Sequence, residues 1–126
     1  MKLADYVIDY LADLGIKHVF VVYGAAIGDL VDAFTKTDRI EYVCVMHEQA
    51  GAFAGETLTK VARDILGVTL VTSGPGGTNL LTGIANCWYD SIPNIYITGQ
   101  IKSDFLRKDP AIRQVGFQEN DIVSTV

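Results

Sequence analysis

Glu48 stands just past the apolar run Tyr42-Val43-Cys44-Val45-Met46, with His47 between them, and opens an alanine-rich segment. A glutamate in the first turn of a helix is favoured by the helix dipole and needs no ligand to explain it. A carboxylate held in a dry cleft has a second use, because desolvation lets it keep or share a proton near neutral pH. Three other segments carry residues suited to chemistry: Tyr23-Gly24-Ala25-Ala26, Thr72-Ser73-Gly74-Pro75-Gly76-Gly77 and Gly99-Gln100. Glycines ahead of a helix can cradle an anion with backbone N–H groups. The run from Ser73 to Gly77, however, matches neither the lysine-bearing phosphate loop nor Gly-x-Gly-x-x-Gly, and it serves equally as a plain strand-to-helix turn. His47 reads as a cap-region or supporting residue, since no second His or Cys lies at metal-ligand spacing from it.

The elements that must position these residues alternate along the chain. Leu3, Val7, Ile8, Leu11 and Leu14 recur on one helical face, and Gly15 follows as a stop. His18 to Tyr23 is a β-branched and aromatic run ended by Gly24, which reads as a buried strand. Ile27, Leu30, Val31 and Phe34 return to helical spacing. Residues 42–46 read as a second buried strand. His47 to Arg63 reads as a helix with Ala50, Phe53, Ala54, Leu58, Val61 and Ala62 along its apolar side. Strands over 65–72 and 93–98 enclose a helix over about 78–89, and the polar stretch 102–114 reads as a surface loop. The strands lack polar alternation, as expected where helices cover both faces of a sheet. The expected fold is therefore α/β: an open, doubly wound, mainly parallel sheet with helices on both faces. In such sheets ligands bind beyond the carboxyl ends of the strands, where all four segments singled out above lie.

Composition narrows the partners. The 126 residues suit one domain, and the net charge of -5 with no basic patch argues against nucleic acid. No apolar run is long enough to span a bilayer. Cys44 and Cys87, both within apolar segments, read as buried reduced thiols, which points to a cytoplasmic location. A hydrophobic content of 49% is high for a short chain and implies either that both sheet faces are covered or that part of the surface meets a partner.

Several ordered segments together resemble the N-terminal domain of acetolactate synthase and related thiamine diphosphate enzymes. They are Met46-His47-Glu48-Gln49-Ala50-Gly51-Ala52-Phe53-Ala54-Gly55-Glu56, Leu70 to Asn79, Asp90-Ser91-Ile92-Pro93, Thr98-Gly99-Gln100 and Gly116-Phe117-Gln118-Glu119. The resemblance covers essentially the whole chain, and its implications are concrete. Glu48 would hydrogen-bond the ring nitrogen of the cofactor's aminopyrimidine. That contact favours the tautomer whose exocyclic nitrogen removes the proton from the thiazolium carbon C2, which then attacks a small 2-oxo acid. Pro75 and Asn79 match positions near the pyrimidine. Gly24, Ala25, Ala26 and Gln118 match the substrate-side wall.

Two departures stand out. The synthases usually carry Gly-Tyr-Pro-Gly-Gly-Ala where this chain has Val21-Val22-Tyr23-Gly24-Ala25-Ala26. The family's diphosphate and Mg²⁺ motif, Gly-Asp-Gly followed by asparagine, is also missing, and Gly28-Asp29-Leu30 does not replace it. No metal ligand is assigned to this chain. The expectation is a pyrimidine-binding domain over residues 1–126, cut from a longer decarboxylase or carboligase and inactive alone. A separate domain or subunit would supply the diphosphate site, within a homo-oligomer. Two alternatives are a natural subunit of a two-chain decarboxylase of the sulfopyruvate or phosphonopyruvate type and a non-catalytic α/β binding or regulatory module.

Overall fold

The computed structural model describes residues 1–62 and 64–126. Helix α1 spans Leu3–Asp13 and ends where expected, with Gly15 in the left-handed region at φ 86°. The chain then turns directly into β1, His18–Val22. A 3-10 turn at Ala25–Ile27 leads into α2, Gly28–Phe34, and then into β2, Glu41–Cys44. Helix α3 covers Glu48–Ala62, and β3 covers Gly67–Val71. The Arg63 end of the expected third helix lies outside the described residues. The helix expected over 78–89 is broken into α4, Pro75–Thr78, and α5, Leu81–Tyr89. Strand β4 is Asn94–Thr98.

All pairings in the four-stranded sheet are parallel, in the order β2-β1-β3-β4. The chain moves from β1 outward to β2, then crosses back past β1 to β3 and continues to β4. Because crossovers keep one hand, reversing direction moves the connecting helix to the opposite face of the sheet. One face accordingly packs α1 and α2 through Ile8, Leu11, Phe34, Val19, Val21, Val68 and Leu70. The other face packs α3 and α5 around Ala52, Val71 and Leu80, with Ile84 and Tyr96 against them. This is the doubly wound α/β arrangement the sequence pattern implies. The reversal falls between β1 and β3, where a crevice opens at the carboxyl ends of the strands.

Three expectations change. Strand β2 is not buried: it is the edge strand, mostly exposed, and Met46 beyond it is fully exposed. Cys44, on that edge, is an exposed thiol, whereas Cys87 is buried as expected. Helix α3 does not pack through its apolar stripe. It buries Gly51, Ala52, Gly55, Glu56 and Thr59, while Phe53 and Val61 face outward. Close approach is the reason. A Cβ added to Gly67 on β3 would lie 2.1 Å from the Gly55 carbonyl oxygen, so only a glycine at position 67 lets helix and strand meet here. Thr59 seals the contact by accepting the Gly67 N–H at 2.7 Å.

Candidate functional site

Glu48 is the first residue of α3, placed there by the end of β2 and the turn through His47. His47 acts as the cap: its Nδ1 accepts the Gln49 N–H at 3.2 Å and its carbonyl accepts the Gly51 N–H at 3.2 Å. That leaves the Glu48 side chain free of capping duty. Instead it meets Asn79, which donates from Nδ2 to Glu48 Oε2 at 2.8 Å in a half-buried contact. Asn79 closes α4, its own N–H bonded to the Pro75 carbonyl at 3.0 Å, and the neighbouring Leu80 is fully buried. Among the described residues no hydrogen bond reaches Glu48 Oε1. The nearest constraint on it is the bare face of Gly76, where an added Cβ would sit 3.6 Å from Oε1 and 2.9 Å from the Thr72 methyl. Pro75 begins α4 and is exposed beside this group.

Gly24, Ala25, Ala26 and Gln118 come together elsewhere. They line one open cleft of about 830 Å³ with Asp29, Thr72, Ser73, Gln100, Lys102, Phe105, Val115 and Phe117. Tight backbone packing forms its floor. A Cβ on Gly24 would lie 2.3 Å from Thr72 Cβ, and one on Gly99 would lie 2.7 Å from Ala26 Cβ. Gly74 has φ 59°, a conformation glycine adopts without strain, and an added Cβ there would meet the Gln118 carbonyl oxygen at 2.4 Å. Gln118 itself has φ 54°, uncommon for a residue with a side chain. The loop that carries it is folded on Glu119, whose carboxylate accepts the backbone N–H groups of Arg107 and Val115. These bonds hold the Glu119 carboxyl below the usual range. Gln100 ties the same loop to the end of β4 by donating to the Asn120 carbonyl at 2.9 Å.

The candidate residues thus form two adjacent groups, Glu48-Pro75-Asn79 and Gly24-Ala25-Ala26-Gln118. Thr72 and the turn from Gly74 to Gly76 stand between them, at the carboxyl ends of β1 and β3. Residues 1–125 match the family of thiamine pyrophosphate enzymes, N-terminal TPP binding domain. The chain belongs to that family. It is 40% identical over 120 residues to the acetolactate synthase isozyme 3 large subunit of Escherichia coli (strain K12), covering 95% of this chain and 20% of that protein. The same identity and coverage hold for the large subunit of Buchnera aphidicola subsp. Acyrthosiphon pisum (strain APS). Chloroplastic acetolactate synthase 2 of Nicotiana tabacum is 37% identical over 122 residues, 97% of this chain and 17% of that protein. The chain spans about a fifth of the length of the curated relatives it matches.

The residues of this thiamine diphosphate-binding domain fit the pyrimidine end of the cofactor. A half-buried carboxylate with one uncommitted oxygen, over a glycine that leaves the adjacent space clear, suits a heteroaromatic ring nitrogen. They do not fit the diphosphate end. Among the described residues no three His, Cys, Asp or Glu side chains cluster where a metal ion could be held. No helix among them is long and apolar enough to cross a membrane.

Sequence reasoning missed two features. Lys102 and Phe105 join the cleft only because the loop after β4 folds back, which no local pattern announces. Glu56 is the other. It is 5% exposed, paired with Lys60 and bonded by Asn86 Nδ2 at 2.7 Å. The Lys60 ammonium, and then the Asn86 amide, hold its carboxyl below the usual range. A Glu-x-x-x-Lys spacing inside an alanine- and glycine-rich helix was the available signal.

Proposed function

We propose that this chain is the pyrimidine-binding half of a thiamine diphosphate-dependent 2-oxo acid decarboxylase or carboligase of the acetolactate synthase type. The observation that carries the reading is the state of Glu48. One oxygen is bonded to Asn79 and the other, which no hydrogen bond among the described residues reaches, lies near Gly76 at the carboxyl end of the sheet beside an open cleft. When bound, the cofactor supplies an electron sink for cleavage next to a carbonyl carbon. Glu48 holds or gives up a proton at the pyrimidine ring nitrogen, which is general acid–base work for a carboxyl group. Pro75 and the α4 turn border the ring, and Gly76 leaves the space beside Oε1 free of side chain. Gly24, Ala25, Ala26 and Gln118 form the wall against which a small 2-oxo acid is oriented.

On this reading Mg²⁺ and the diphosphate are held by a separate domain or subunit. The assembled enzyme is a homo-oligomer with the Glu48 face at an interface. The test is exchange of the C2 proton of bound cofactor for deuterium, followed by NMR in the longer enzyme. Glu48→Gln keeps the shape of the side chain but removes its proton exchange, and should slow C2 exchange by about 10²–10⁴-fold. Equal rates in wild type and Glu48→Gln would remove the catalytic assignment and return Glu48 to a helix-terminus role.

A further inference from the structure

We propose that Asn79 is a positioning residue that makes the two oxygens of Glu48 inequivalent, fixing Oε2 and leaving Oε1 as the single oxygen presented to a ligand. The inference rests on the reading of Glu48 given above, but the geometry behind it is independent of any cofactor. The terminal torsion of a glutamate is broad and roughly two-fold, so a carboxylate anchored only through its chain interchanges its oxygens. Here Asn79 Nδ2 donates to Oε2 at 2.8 Å. An ionised carboxylate carries only acceptors, so the asparagine must present its NH₂ end to it, and the orientation of both groups is set together.

The donor is itself well anchored. Asn79 is the residue closing α4, its N–H is held by the Pro75 carbonyl, and Leu80 next to it is fully buried. The opposite side is kept clear. Gly76 is buried, a Cβ there would press on Thr72 Cγ2 at 2.9 Å, and the bare position lies against Oε1. One oxygen is therefore clamped and the other faces space that a glycine keeps free of side chain. A proton exchanged by Glu48 with a ring nitrogen is then delivered from a fixed point, which is what preorganised proton transfer requires. Asn79 acts through Glu48 in this scheme and does not itself contact the ring.

The experiment begins with the 126-residue chain alone, labelled with ¹⁵N at asparagine. At neutral pH the Asn79 Nδ2–H resonances should be shifted downfield from a free asparagine amide by their hydrogen bond to the Glu48 carboxylate. That shift should vanish in Glu48→Gln while the backbone spectrum is retained. Should Glu48→Gln fail to fold, Glu48→Asp, with the carboxylate drawn back by one methylene, should abolish the shift in its place. Resonances at the position of a free asparagine amide, or a shift unchanged in the Glu48 variant, would overturn the proposal. The functional arm uses the longer enzyme. Asn79→Leu should slow C2 exchange about tenfold, the loss of one hydrogen bond to a charged group, with cofactor affinity unchanged. Lost affinity with unchanged exchange per bound cofactor would make Asn79 a cofactor contact and overturn the positioning role. If Glu48→Gln leaves C2 exchange intact, the functional reading fails by itself, whatever the Asn79 resonances of the chain show.

Discussion

Asn86 on α5 donates a 2.7 Å hydrogen bond to the carboxylate of Glu56 on α3, and Lys60 closes the other side of that buried group. The contact joins the helix that begins at Glu48 to the helix that follows Asn79. It therefore ties together the two segments whose side chains meet at the candidate site.

The acid response of the fold follows from it. Glu56 has its carboxyl lowered by Lys60 and Asn86, so its contribution to stability is complete above the unfolded carboxyl value of about 4.3. It is lost as pH falls through the lower folded value. At neutral pH, Glu56→Gln should be less stable than wild type by about 1–3 kcal/mol, the range for a disrupted buried polar group. Thermal melts should show that gap closing as pH falls below the unfolded carboxyl value. A constant gap from neutral to acid pH would mean that the charge contributes nothing. In the longer enzyme the same substitution should disturb C2 exchange far less than Glu48→Gln. Glu56 lies two helical turns away from the strand ends.

A steric prediction concerns Gly67. Because a Cβ there would meet the Gly55 carbonyl oxygen at 2.1 Å, Gly67→Ala must push α3 off the sheet. Overpacking of a close contact costs about 1–3 kcal/mol, and backbone against backbone belongs at the upper end. Gly15→Ala is the control, with φ 86° but nothing within 4 Å, so its cost is conformational alone. Urea unfolding should rank Gly67→Ala as the more destabilised. The reverse order would show that the helix and strand are not held this closely.

The alternation of elements was readable because glycines and a proline punctuate it, and Gly15 behaves as the stop its position suggests. The position of Glu48 was readable too, since a residue just past a strand in a parallel sheet must lie at the carboxyl edge. The orientation of α3 was not. Its apolar stripe is real, but the glycine-lined side wins because only it permits the approach to Gly67, and that constraint lives in the sheet, 12 residues from Gly55. The Asn79 contact was hidden for the same reason, spanning 31 residues of sequence. Strand β2 read as buried because its composition is apolar, and edge status is decided by strand order rather than by composition.

The displaced stripe leads to a prediction about assembly. Phe53 and Val61 on α3 and Trp88 and Tyr89 on α5 are exposed on the same helical layer, Trp88 at 80% and Tyr89 at 83%. Large apolar groups grouped on one face mark an interaction surface. The chain should self-associate as its concentration rises, most simply with two-fold symmetry. Light scattering should show it, and Trp88→Lys should shift the equilibrium toward monomer. A strict monomer over a wide concentration range would count against a homotypic role for this face.

The last prediction separates the cleft from the Glu48 group. Gly74 lies between them, and its left-handed turn is packed against the Gln118 carbonyl oxygen so closely that a Cβ would stand 2.4 Å from it. Gly74→Ala must therefore displace Gln118 and the loop that Glu119 and Gln100 secure, while the Asn79 bond to Glu48 is made at the other end of α4, the helix that Gly74 caps. If Gln118 orients a 2-oxo acid, the variant of the longer enzyme should lose kcat/KM mainly through a higher KM. A loss of about 1–3 kcal/mol of binding corresponds to about 5- to 150-fold. Exchange at cofactor C2 needs no substrate and should stay within a few-fold of wild type. Gln118→Ala, which leaves the turn unstrained, should reproduce the rise in KM to a lesser degree. Both readouts falling together would mean that the turn positions Glu48 as well, and that the two groups form one mechanical unit. Neither readout changing would remove Gln118 from the substrate wall.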